Sequence, residues 1–450
     1  MTDLLTRLEE REARVGVIGL GYVGLPLSLK FTGAGYDVAG FDIDADRVAS
    51  LRNAESYVDD VTDERLAEAL ESGFTPDDDP SVVADCDAYV IAVPTGVSNG
   101  EPEMGAIRSA TRTIAEQAGD RETLVVVSST VYPGATNEEV APLLHERLDP
   151  DRTRVAMVPE RLNPGGDYPI EEIPLIVGAD DEIARSAACT MFESFVAETY
   201  PVDATTTAEL AKTLENTYRM VNIALVNELT AFAEQFDADV WDAIAAASTK
   251  PFGFQAFYPG PGVGGHCIPI DPQFLTWRAS ELGTELSLVD EAQRINEWMP
   301  SVVVNRIERI LDTRGIEPGR ASIVTLGLAY KSDVGDTRRS PALEISKRLD
   351  DMGDVIAVDP YVNEVDGDLA VAESTADVPL EEADLVVLLV DHRDFDLHEI
   401  TERASLLFDT RDAVSTEGST EIVTLGDETA ETDGSRTSYR TGHVSSKLDQ

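Results

Sequence analysis

The sequence predicts an α/β protein with two Rossmann-like, doubly wound parallel-sheet domains joined by a central all-helical domain. From residue 14 to about 201, short runs rich in β-branched residues alternate with helical patterns, and strands separated by helices form parallel sheets. From 206 to about 309 the pattern changes to long helical segments, and a second alternation of strands and helices begins near Ala321. The expected order is therefore α/β, helical, α/β.

The strand candidates are short apolar runs bounded by polar residues or glycine. In the first region they are Val15–Gly19, Asp37–Phe41, Ala88–Val93, Leu124–Ser128 and Arg154–Met157, and in the last region Ile323–Leu326, Val355–Val358, Leu385–Leu389 and Ile422–Leu425. Residues 208–236 carry apolar side chains on more than one face, which predicts a buried or subunit-bridging helix. We expect domains at 1–202, 203–310 and 311–425, followed by a disordered tail at 426–450 that is rich in Thr, Ser, Asp and Gly.

The charge is extreme for a folded protein. There are 85 acidic residues against 35 basic ones, a formal net charge of −50, yet 42% of the residues are hydrophobic, so global disorder does not explain it. Lysine is nearly absent, and an acid-rich, lysine-poor surface resembles that of proteins from salt-accumulating halophiles, where molar salt screens self-repulsion. Such a charge argues against nucleic acid or an anionic membrane as partner.

The number and spacing of the cysteines limit the disulfides and metal sites that the chain can form. Cys86, Cys189 and Cys267 are too few and too scattered for a disulfide framework or a CxxC metal site, so no metal is predicted. The charged start of the chain lacks an apolar signal region, and no run approaches the length of a membrane span. We expect a soluble cytoplasmic protein.

A dinucleotide fingerprint opens the first domain. The segment Gly19-Leu-Gly21-Tyr-Val-Gly24 follows a strand and begins a helix, where glycines admit a pyrophosphate to the helix N-terminus. The next strand ends in Asp42, at the distance where a carboxylate binds the ribose 2′-hydroxyl and repels a 2′-phosphate, so NAD is favoured over NADP. Further strand-end loops, ending at Thr95 and Thr130, lie where such sheets place their ligands.

The central helix carries a possible oxyanion-stabilising pair. Lys212 and Asn216 are four residues apart and so lie one above the other on a helix. An ammonium and an amide on one face can stabilise a developing negative charge. The alternative is a solvated helix face, but the scarcity of lysine in this chain makes each lysine a stronger candidate.

A glycine- and proline-rich loop ends in a cysteine. The segment runs Tyr258-Pro-Gly-Pro-Gly262-Val-Gly264-Gly-His-Cys267 and predicts a tight turn whose bare backbone can lie against a ligand. Asp271 follows four positions later, and such a cysteine is a candidate covalent nucleophile. A lone cysteine is more often a small buried hydrophobe, and the loop alone does not decide between the two.

The last domain contains a second candidate phosphate-facing loop. The stretch from Gly327 to Pro341 follows a strand and offers Lys331 and Arg338 as cations for a nucleotide. The alternative is a polar loop with internal ion pairs, and spacing alone does not separate the two.

Together these motifs resemble the UDP-glucose/GDP-mannose dehydrogenase family of nucleotide-sugar 6-dehydrogenases. The resemblance covers about residues 15–390 and keeps the order of the motifs. The matching segments are Gly19–Pro26, Ser129–Gly134, Pro159-Glu160, Lys212–Asn216, Arg219–Glu228, the Cys267 loop, Gly327–Pro341, Asp359-Pro360 and Asp391-His392. The family implies an N-terminal NAD domain, a helical dimer-forming middle, and a C-terminal domain that binds the nucleotide of the sugar.

The resemblance also implies a two-step, four-electron oxidation. C6 of the sugar loses a hydride to NAD and becomes an aldehyde, the Cys267 thiolate adds to it, and a second NAD oxidises the thiohemiacetal to a thioester that water hydrolyses to the uronate. In this scheme Lys212 and Asn216 stabilise the oxyanions, Asp271 and Thr130 position water and handle protons, and Glu160 is the base for hydrolysis.

Two sets of binding residues follow from the motifs and the resemblance. The NAD-binding set comprises Gly19, Gly21, Tyr22, Val23, Gly24, Asp42, Arg47, Pro94, Thr95, Ser129 and Thr130. The substrate-binding set comprises Glu160, Arg161, Lys212, Asn216, Tyr258, Gly262, Gly264, Lys331 and Arg338.

Departures from the family pattern bear on the sugar. Ser128 stands where Glu is common before Ser-Thr, and Pro164 stands where relatives acting on UDP-glucose carry a second glutamate. Arg161–Gly165 and His266 before the cysteine instead resemble the branch that handles N-acetylated sugars. We therefore expect UDP-N-acetylglucosamine or UDP-N-acetylmannosamine as substrate, a uronate for polysaccharide synthesis as product, and a homodimer or larger homo-oligomer. The alternatives are a UDP-glucose dehydrogenase, a one-step hydroxyacid dehydrogenase and a non-catalytic nucleotide-sugar binder.

Overall fold

The computed structural model describes residues 3–58, 60–161, 168–233, 235, 238–414 and 420–426. The chain divides into two compact units, residues 1–215 with 273–285, and residues 216–272 with 286–450. Within the described residues, no helix is both long enough and apolar enough to span a membrane.

The first unit is built on an eight-stranded sheet in the order β3-β2-β1-β4-β7-β8-β9-β10. Its elements are α1 Asp3–Glu9, β1 Arg14–Ile18, α2 Gly24–Gly33, β2 Asp37–Phe41, α3 Ala45–Arg52, α4 Asp63–Glu71, β3 Phe74–Asp77, β4 Ala88–Ile91, β5 Val97–Ser98, β6 Glu101–Pro102, α5 Gly105–Gln117, β7 Thr123–Val127, α6 Ala141–His145, β8 Thr153–Met157, β9 Leu175–Gly178, α7 Glu182–Phe192 and β10 Thr199–Val202. β5 and β6 form a separate antiparallel pair.

The central strands explain the arrangement of the first sheet. β1 pairs in parallel with both β2 and β4, and β7 pairs in parallel with β4 and β8. The β7 strand, Thr-Leu-Val-Val-Val, is buried along its whole length, as expected for a sheet covered on both faces. The carboxyl ends of β1, β4 and β7 therefore meet at one edge of the sheet, where the glycine loop and the loops ending at Thr95 and Thr130 emerge.

Four helices, of which α8 and α11 are long, follow the first sheet in the sequence, and the second unit contains a six-stranded parallel sheet with the order β13-β12-β11-β14-β15-β16. These elements are α8 Thr205–Ala233, α9 Val240–Ser248, α10 Asp271–Glu281, α11 Ser287–Thr313, β11 Ser322–Leu326, α12 Pro341–Asp350, β12 Asp354–Val358, β13 Ala370–Ala372, β14 Leu385–Leu388, α13 Leu397–Arg403, β15 Leu406–Asp409 and β16 Glu421–Thr424. This strand order is that of a dinucleotide-type doubly wound sheet.

The predicted fold class is confirmed: a first α/β sheet, parallel except where β8 meets β9, is followed in the sequence by a helical region and then by a second, parallel α/β sheet. The boundary between the compact units falls inside α8 and near the start of α10, so the units do not follow the predicted limits of the helical domain. The division at 1–202, 203–310 and 311–425 stays a prediction. Of the predicted tail, residues 427–450 lie outside the described part of the chain.

Candidate active site

The glycine loop after β1 has the shape that a dinucleotide requires. Gly19 has φ +92°, and a Cβ there would lie 2.6 Å from the carbonyl oxygen of Ala92. A Cβ on Gly24, the first residue of α2, would lie 1.8 Å from the carbonyl oxygen of Gly19, so strand and helix can approach only without side chains. Gly21 faces open space, with no atom within 4 Å of its Cβ position. The residues present therefore fit a pyrophosphate at the N-terminus of α2.

Asp42, which directly follows β2, holds this loop in place by hydrogen bonds. Its carboxylate accepts hydrogen bonds from the backbone N–H of Leu20 (2.8 Å) and of Asp44 (3.0 Å), and the residue is 7% exposed. These bonds occupy one position on each oxygen, and a carboxylate oxygen can accept more than one hydrogen bond. Tyr57, which was not among the predicted site residues, donates its hydroxyl hydrogen to the carbonyl oxygen of Leu20 at 2.5 Å.

The remaining predicted NAD-binding side chains lie around these loops with different environments. Tyr22 is 55% exposed beside the glycine loop. Arg47 is exposed and forms an ion pair with Asp44 at 3.3 Å. Pro94 is exposed and Val23 is half-buried.

The strand-end loops after β4 and β7 are tied to each other. The hydroxyl of Thr95 donates to the carbonyl oxygen of Thr130 at 2.7 Å, and the hydroxyl of Ser129 donates to that of Val93 at the same distance. Both donors are buried. The two loops therefore form one rigid rim at the carboxyl edge of the sheet, which is where a doubly wound sheet binds its ligand.

A buried glutamate on α8 holds the continuation of the Thr130 loop. The two carboxylate oxygens of Glu209 accept hydrogen bonds from the backbone N–H of Gly134 (2.5 Å) and of Thr136 (2.8 Å). Glu209 is fully buried, and this burial raises the pKa of its carboxyl group, although the hydrogen bonds from Thr136 and Gly134 act in the opposite direction. Glu209 was not among the predicted site residues; its place three residues before Lys212, on the same buried side of α8, was the available signal.

Lys212 and Glu160 form an ion pair in the first unit. Lys212 Nζ lies 3.7 Å from Glu160 Oε2, and their side chains are 7% and 14% exposed. Glu160 follows β8, and its backbone N–H donates to the carbonyl oxygen of Ser128 at 3.3 Å. The attraction between this ammonium and this carboxylate is stronger than it would be on the surface, because little water screens the two charges. The structure thus unites the predicted cation with the predicted base.

Arg161, the next residue, is held against α8. Its guanidinium donates to the carboxylate of Glu215 and to the carbonyl oxygen of Pro174, each at 2.5 Å. The side chain is therefore oriented from two sides. The residues that follow, including Pro164, lie outside the described part of the chain.

Asn216 and Asp271 form a second buried pair, in the second unit. Asn216 Nδ2 donates to Asp271 Oδ2 at 2.5 Å, and each residue is 1% exposed. Arg219 donates to the amide oxygen of Asn216, so the orientation of that amide is fixed. The backbone N–H of Asp271 donates to the carbonyl oxygen of Cys267 at 2.8 Å, which joins this pair to the cysteine loop.

Two asparagines shape the loop that leads to Cys267. Asn227 Oδ1 accepts from the N–H of Gly260 at 3.0 Å, and Asn296 both accepts from and donates to the backbone of Val263, at 2.7 and 3.0 Å. A Cβ on Gly264 would lie 2.5 Å from the carbonyl oxygen of Arg339. The glycine is therefore required by close packing within this unit. Neither asparagine was among the predicted site residues, although Asn227 lies within the Arg219–Glu228 motif.

Cys267 differs from the other cysteines in exposure. It is exposed, whereas Cys86 is buried and Cys189 is half-buried. Burial raises the pKa of Cys86 to about 12 and also raises the pKa of Cys189. Since the thiolate is the nucleophile, neither of these two is placed to react. The sequence left open whether Cys267 is a nucleophile or a small buried hydrophobe, and its exposure excludes the second alternative.

The cations of the last domain differ in their partners. The guanidinium of Arg338 donates to both oxygens of Asp336, at distances from 2.6 to 3.0 Å, which is the internal ion pair that the sequence left open. Lys331 is half-buried. Arg411 was missed: its Nε donates to the carbonyl oxygen of Leu389 at 2.7 Å, and a Cβ on Gly260 would lie 2.9 Å from its Nη1. A third cation thus borders the cysteine loop.

No group of three or more His, Cys, Asp or Glu side chains within the described ranges is arranged to hold a metal ion. The chemistry that the arrangement offers is that of an exposed thiol, two buried polar pairs and a set of arginine and lysine cations.

Each of the three regions of the chain matches a domain of one protein family. Residues 13–196 match the NAD-binding domain, 206–298 the central domain and 324–416 the UDP-binding domain of the UDP-glucose/GDP-mannose dehydrogenase family. A UDP-N-acetyl-D-mannosamine dehydrogenase of Pyrococcus horikoshii is 36% identical over 85% of this chain and 90% of its own length. A UDP-N-acetyl-D-glucosamine 6-dehydrogenase of Pseudomonas aeruginosa is 33% identical over 86% and 92%. The solved structure of a UDP-D-ManNAc dehydrogenase from Pyrococcus horikoshii superposes with a TM-score of 0.83 at 33% identity, over 92% of this chain and 99% of the other.

Proposed function

Because the chain belongs to the UDP-glucose/GDP-mannose dehydrogenase family and is an NAD-dependent UDP-sugar dehydrogenase, we propose that it oxidises C6 of a UDP-N-acetylhexosamine to the carboxylate through a covalent cysteine intermediate. One substrate, two NAD+ and one water give one uronate, two NADH and three protons. The observation that carries the proposal is the exposed Cys267. Its carbonyl oxygen accepts a hydrogen bond from the backbone N–H of Asp271, whose side chain forms the buried pair with Asn216.

Cys267 has the role of nucleophile. Its thiolate adds to the C6 aldehyde, giving a thiohemiacetal, and loss of a hydride from that carbon to the second NAD gives a thioester. Asp271 is fixed by Asn216 and is therefore placed to hold a water molecule or a proton rather than to move freely. Thr130, whose carbonyl is held by Thr95, presents its hydroxyl from a rigid rim.

Lys212 and Asn216 have the role of stabilising the oxyanions. They lie four residues apart in α8, and both are buried, at 6% and 1% exposure. Donors fixed in a site shielded from water stabilise developing charge more than flexible ones do. Glu160 is the base that activates water for hydrolysis of the thioester, and its ion pair with Lys212 keeps it in place before reaction.

NAD supplies the hydride acceptor in both oxidation steps. Gly19, Gly21 and Gly24 admit its pyrophosphate, and Asp42 receives a ribose hydroxyl while holding Leu20. Tyr22, Val23, Arg47, Pro94, Thr95 and Ser129 complete the predicted NAD-binding set.

The uridine diphosphate is assigned to the second α/β sheet and the loops around it. Lys331 and Arg338, with Arg411 added by the structure, supply positive charge, and Tyr258, Gly262 and Gly264 supply the surface of the cysteine loop. Arg338 can contribute only if it shares its bond to Asp336. The proposed N-acetylated sugar is supported by the sequence around Arg161 and by the activities of two relatives, a UDP-N-acetyl-D-mannosamine dehydrogenase at 36% identity and a UDP-N-acetyl-D-glucosamine 6-dehydrogenase at 33%. UDP-glucose stays the alternative.

A stoichiometric assay tests the proposal. The protein is incubated in high salt with UDP-N-acetylglucosamine, UDP-N-acetylmannosamine, UDP-glucose or GDP-mannose, and NADH is counted per sugar consumed. We expect two NADH and a uronate from a UDP-N-acetylhexosamine. One NADH per sugar would exclude the four-electron scheme and favour a one-step dehydrogenase. Cys267→Ser should abolish uronate formation while NAD and UDP still bind, and full activity of this variant would exclude the covalent step.

The oligomer and the cellular setting also belong to this proposal. The part of α8 in the second unit exposes Tyr218, Leu225, Leu229 and Phe232, with exposures of 42 to 57%. We assign this surface to a second copy of the chain, in line with the dimer that the family resemblance implies.

A cytoplasmic location would give the exposed thiol a reducing environment. The surplus of acidic residues, 85 against 35 basic ones, is assigned to adaptation to molar salt, so thermal stability should rise with potassium chloride. The uronate would enter polysaccharide synthesis.

A further inference from the structure

The turn after β12 holds a buried aspartate with an unusual number of donors. Asp359 is fully buried. Its Oδ2 accepts from the backbone N–H of Leu328 (2.6 Å) and Ala329 (3.1 Å), and its Oδ1 accepts from those of Tyr361 (2.8 Å) and Val362 (3.1 Å). Asp359 corresponds in its sheet to Asp42 in the first, since each follows the second strand and binds the loop after the first strand.

A buried histidine distinguishes Asp359 from Asp42. His392, which is 2% exposed, lies with Nε2 3.1 Å from Asp359 Oδ2. Its Nδ1 accepts a hydrogen bond from the backbone N–H of Asp333 at 2.9 Å. Because Nδ1 is an acceptor, the ring is neutral with its proton on Nε2, and it donates that proton to Asp359. These bonds help to hold the pKa of Asp359 below its usual value, against the opposing effect of burial.

The two ends of this network lie on opposite sides of Lys331. Asp359 fixes the backbone at Leu328 and Ala329, and His392 fixes it at Asp333, so the segment that carries Lys331 is held at both ends. Neighbouring bonds reinforce the second end, because Ser332 donates to Asp391 at 2.9 Å and the N–H of Arg393 donates to Asp333 at 2.8 Å. Asp333 itself has φ +61°, a conformation that needs such support.

We propose that His392 is a positioning residue for recognition of the uridine diphosphate: by bridging Asp359 and the backbone of Asp333, it fixes the segment that presents Lys331 to the diphosphate. The inference rests on the proposed function, because it takes Lys331 as a diphosphate-binding cation. A second consequence is that Asp359, which already accepts five hydrogen bonds, has no capacity left for a ribose hydroxyl. The second sheet therefore does not bind a ribose through the carboxylate that follows its second strand, as the first sheet is proposed to do through Asp42.

The test compares His392→Asn with His398→Asn, a histidine of the same sheet region whose side chain is 78% exposed. For the whole chain in high salt, the KM for the UDP-sugar, the KM for NAD and the Kd for UDP alone are measured. His392→Asn should raise the first and third about tenfold, the size expected from losing one end of a buried hydrogen-bonded bridge, and leave the KM for NAD unchanged. His398→Asn should change none of them.

A double variant separates positioning from a general loss of stability. If His392 acts through Lys331, then Lys331→Ala with His392→Asn should bind UDP no more than about twofold worse than Lys331→Ala alone. Multiplicative losses, an equal rise in both KM values, or no effect of His392→Asn would each overturn the proposal.

Two further variants cover the case in which His392→Asn does not fold. His392→Gln retains a donor towards Asp359 but replaces Nδ1, the acceptor from Asp333, and Ser332→Ala removes only the bond to Asp391. Each variant loosens one attachment of the segment that carries Lys331, so each should weaken UDP binding; wild-type UDP affinity in both would also overturn the proposal. UDP binding by calorimetry needs no turnover. It therefore decides this inference even if the wild-type protein oxidises no UDP-sugar, an outcome that would instead exclude the proposed function.

Discussion

Glu209 accepts a 2.5 Å hydrogen bond from the backbone N–H of Gly134 and thereby fastens the loop that follows Thr130 to helix α8. Its other oxygen binds the N–H of Thr136 at 2.8 Å. The same helix carries Lys212 one turn further on. A single buried carboxylate thus relates the rim at the edge of the NAD sheet to the helix that bears the proposed oxyanion-stabilising cation.

Replacing this carboxylate by an amide should destabilise the protein. In Glu209→Gln one of the two N–H donors faces an amide nitrogen, which cannot accept, and an unpaired buried donor costs about 1–3 kcal/mol in the free energy of unfolding. Denaturant unfolding at fixed salt measures it. Glu281→Gln, an exposed change at the end of α10, is the control and should leave the unfolding midpoint unchanged. Equal midpoints for all three proteins would mean that the two bonds contribute nothing net.

The pH dependence of that difference has a defined sign. Burial raises the pKa of Glu209, so between the unfolded and folded pKa values the native state binds more protons than the unfolded state. The stability that this contributes is fully present below the unfolded pKa and is lost as pH rises through the folded value. The advantage of wild type over Glu209→Gln should therefore shrink as pH increases above the usual glutamate range. Unfolding curves of both proteins over that range test this, and a growing advantage would contradict the assignment.

Removing the charge of Lys212 should affect catalysis far more than NAD binding. Lys212→Met retains the apolar stem but deletes the cation beside Glu160, and loss of one oxyanion-stabilising donor lowers kcat by about a hundredfold to a thousandfold. Steady-state NADH formation gives kcat, and fluorescence titration gives the affinity for NAD. Lys347→Met, on α12, is the matched control and should retain wild-type kcat. A fall confined to the KM for the sugar would assign Lys212 to binding alone.

Alkylation should modify one cysteine of the three. At about pH 8 the exposed Cys267 should react with iodoacetamide, whereas Cys86, with a pKa of about 12, and Cys189, with a pKa raised by burial, should not. Mass spectrometry of the intact native chain should show one added group, and peptide mapping should place it at Cys267. Cys267→Ser should show none. Labelling of Cys86 in the folded protein would show that its burial does not protect it.

The sequence predicted the central strands of both sheets better than their edges. Asp37–Phe41 agrees at both ends with the observed strand, because apolar residues along a strand covered on both faces form an unmistakable run. The edge strands Phe74–Asp77 and Thr199–Val202 were not predicted: both contain proline and expose part of their length, so the apolar pattern is interrupted. The buried Leu175–Gly178 and Leu406–Asp409, each one strand in from an edge, were also missed, although runs of the same length such as Val355–Val358 were predicted.

The candidate site was predictable where its chemistry is local in sequence. The spacing of Gly19, Gly24 and Asp42, and the glycines before Cys267, follow from backbone geometry over a few residues. Glu209 and Asn227 could not be found in this way, because their partners lie 75 and 33 residues away and become neighbours only in the folded chain. Whether Arg338 faced a ligand or an internal carboxylate was likewise open until Asp336 was seen to bind it.

The exposed apolar surface of α8 leads to the last prediction. Leu225 is 52% exposed, and Tyr218 and Phe232 on the same helix are 47% and 57% exposed. A two-fold symmetric interface on this surface would bury these side chains on both protomers. Each leucine buried contributes about 1.5–3 kcal/mol, whereas two glutamates facing each other across the same axis would repel.

Leu225→Glu should therefore convert the proposed dimer into a monomer, as measured by light scattering after size exclusion at constant high salt. Leu288→Glu, on α11, changes a leucine that is 67% exposed and should leave the mass unchanged. This comparison matters because any added negative charge on a chain of net charge −50 increases self-repulsion, and only the matched control separates that effect from loss of the interface. A monomeric wild type, or dissociation of both variants alike, would show that this face of α8 does not bind a second copy.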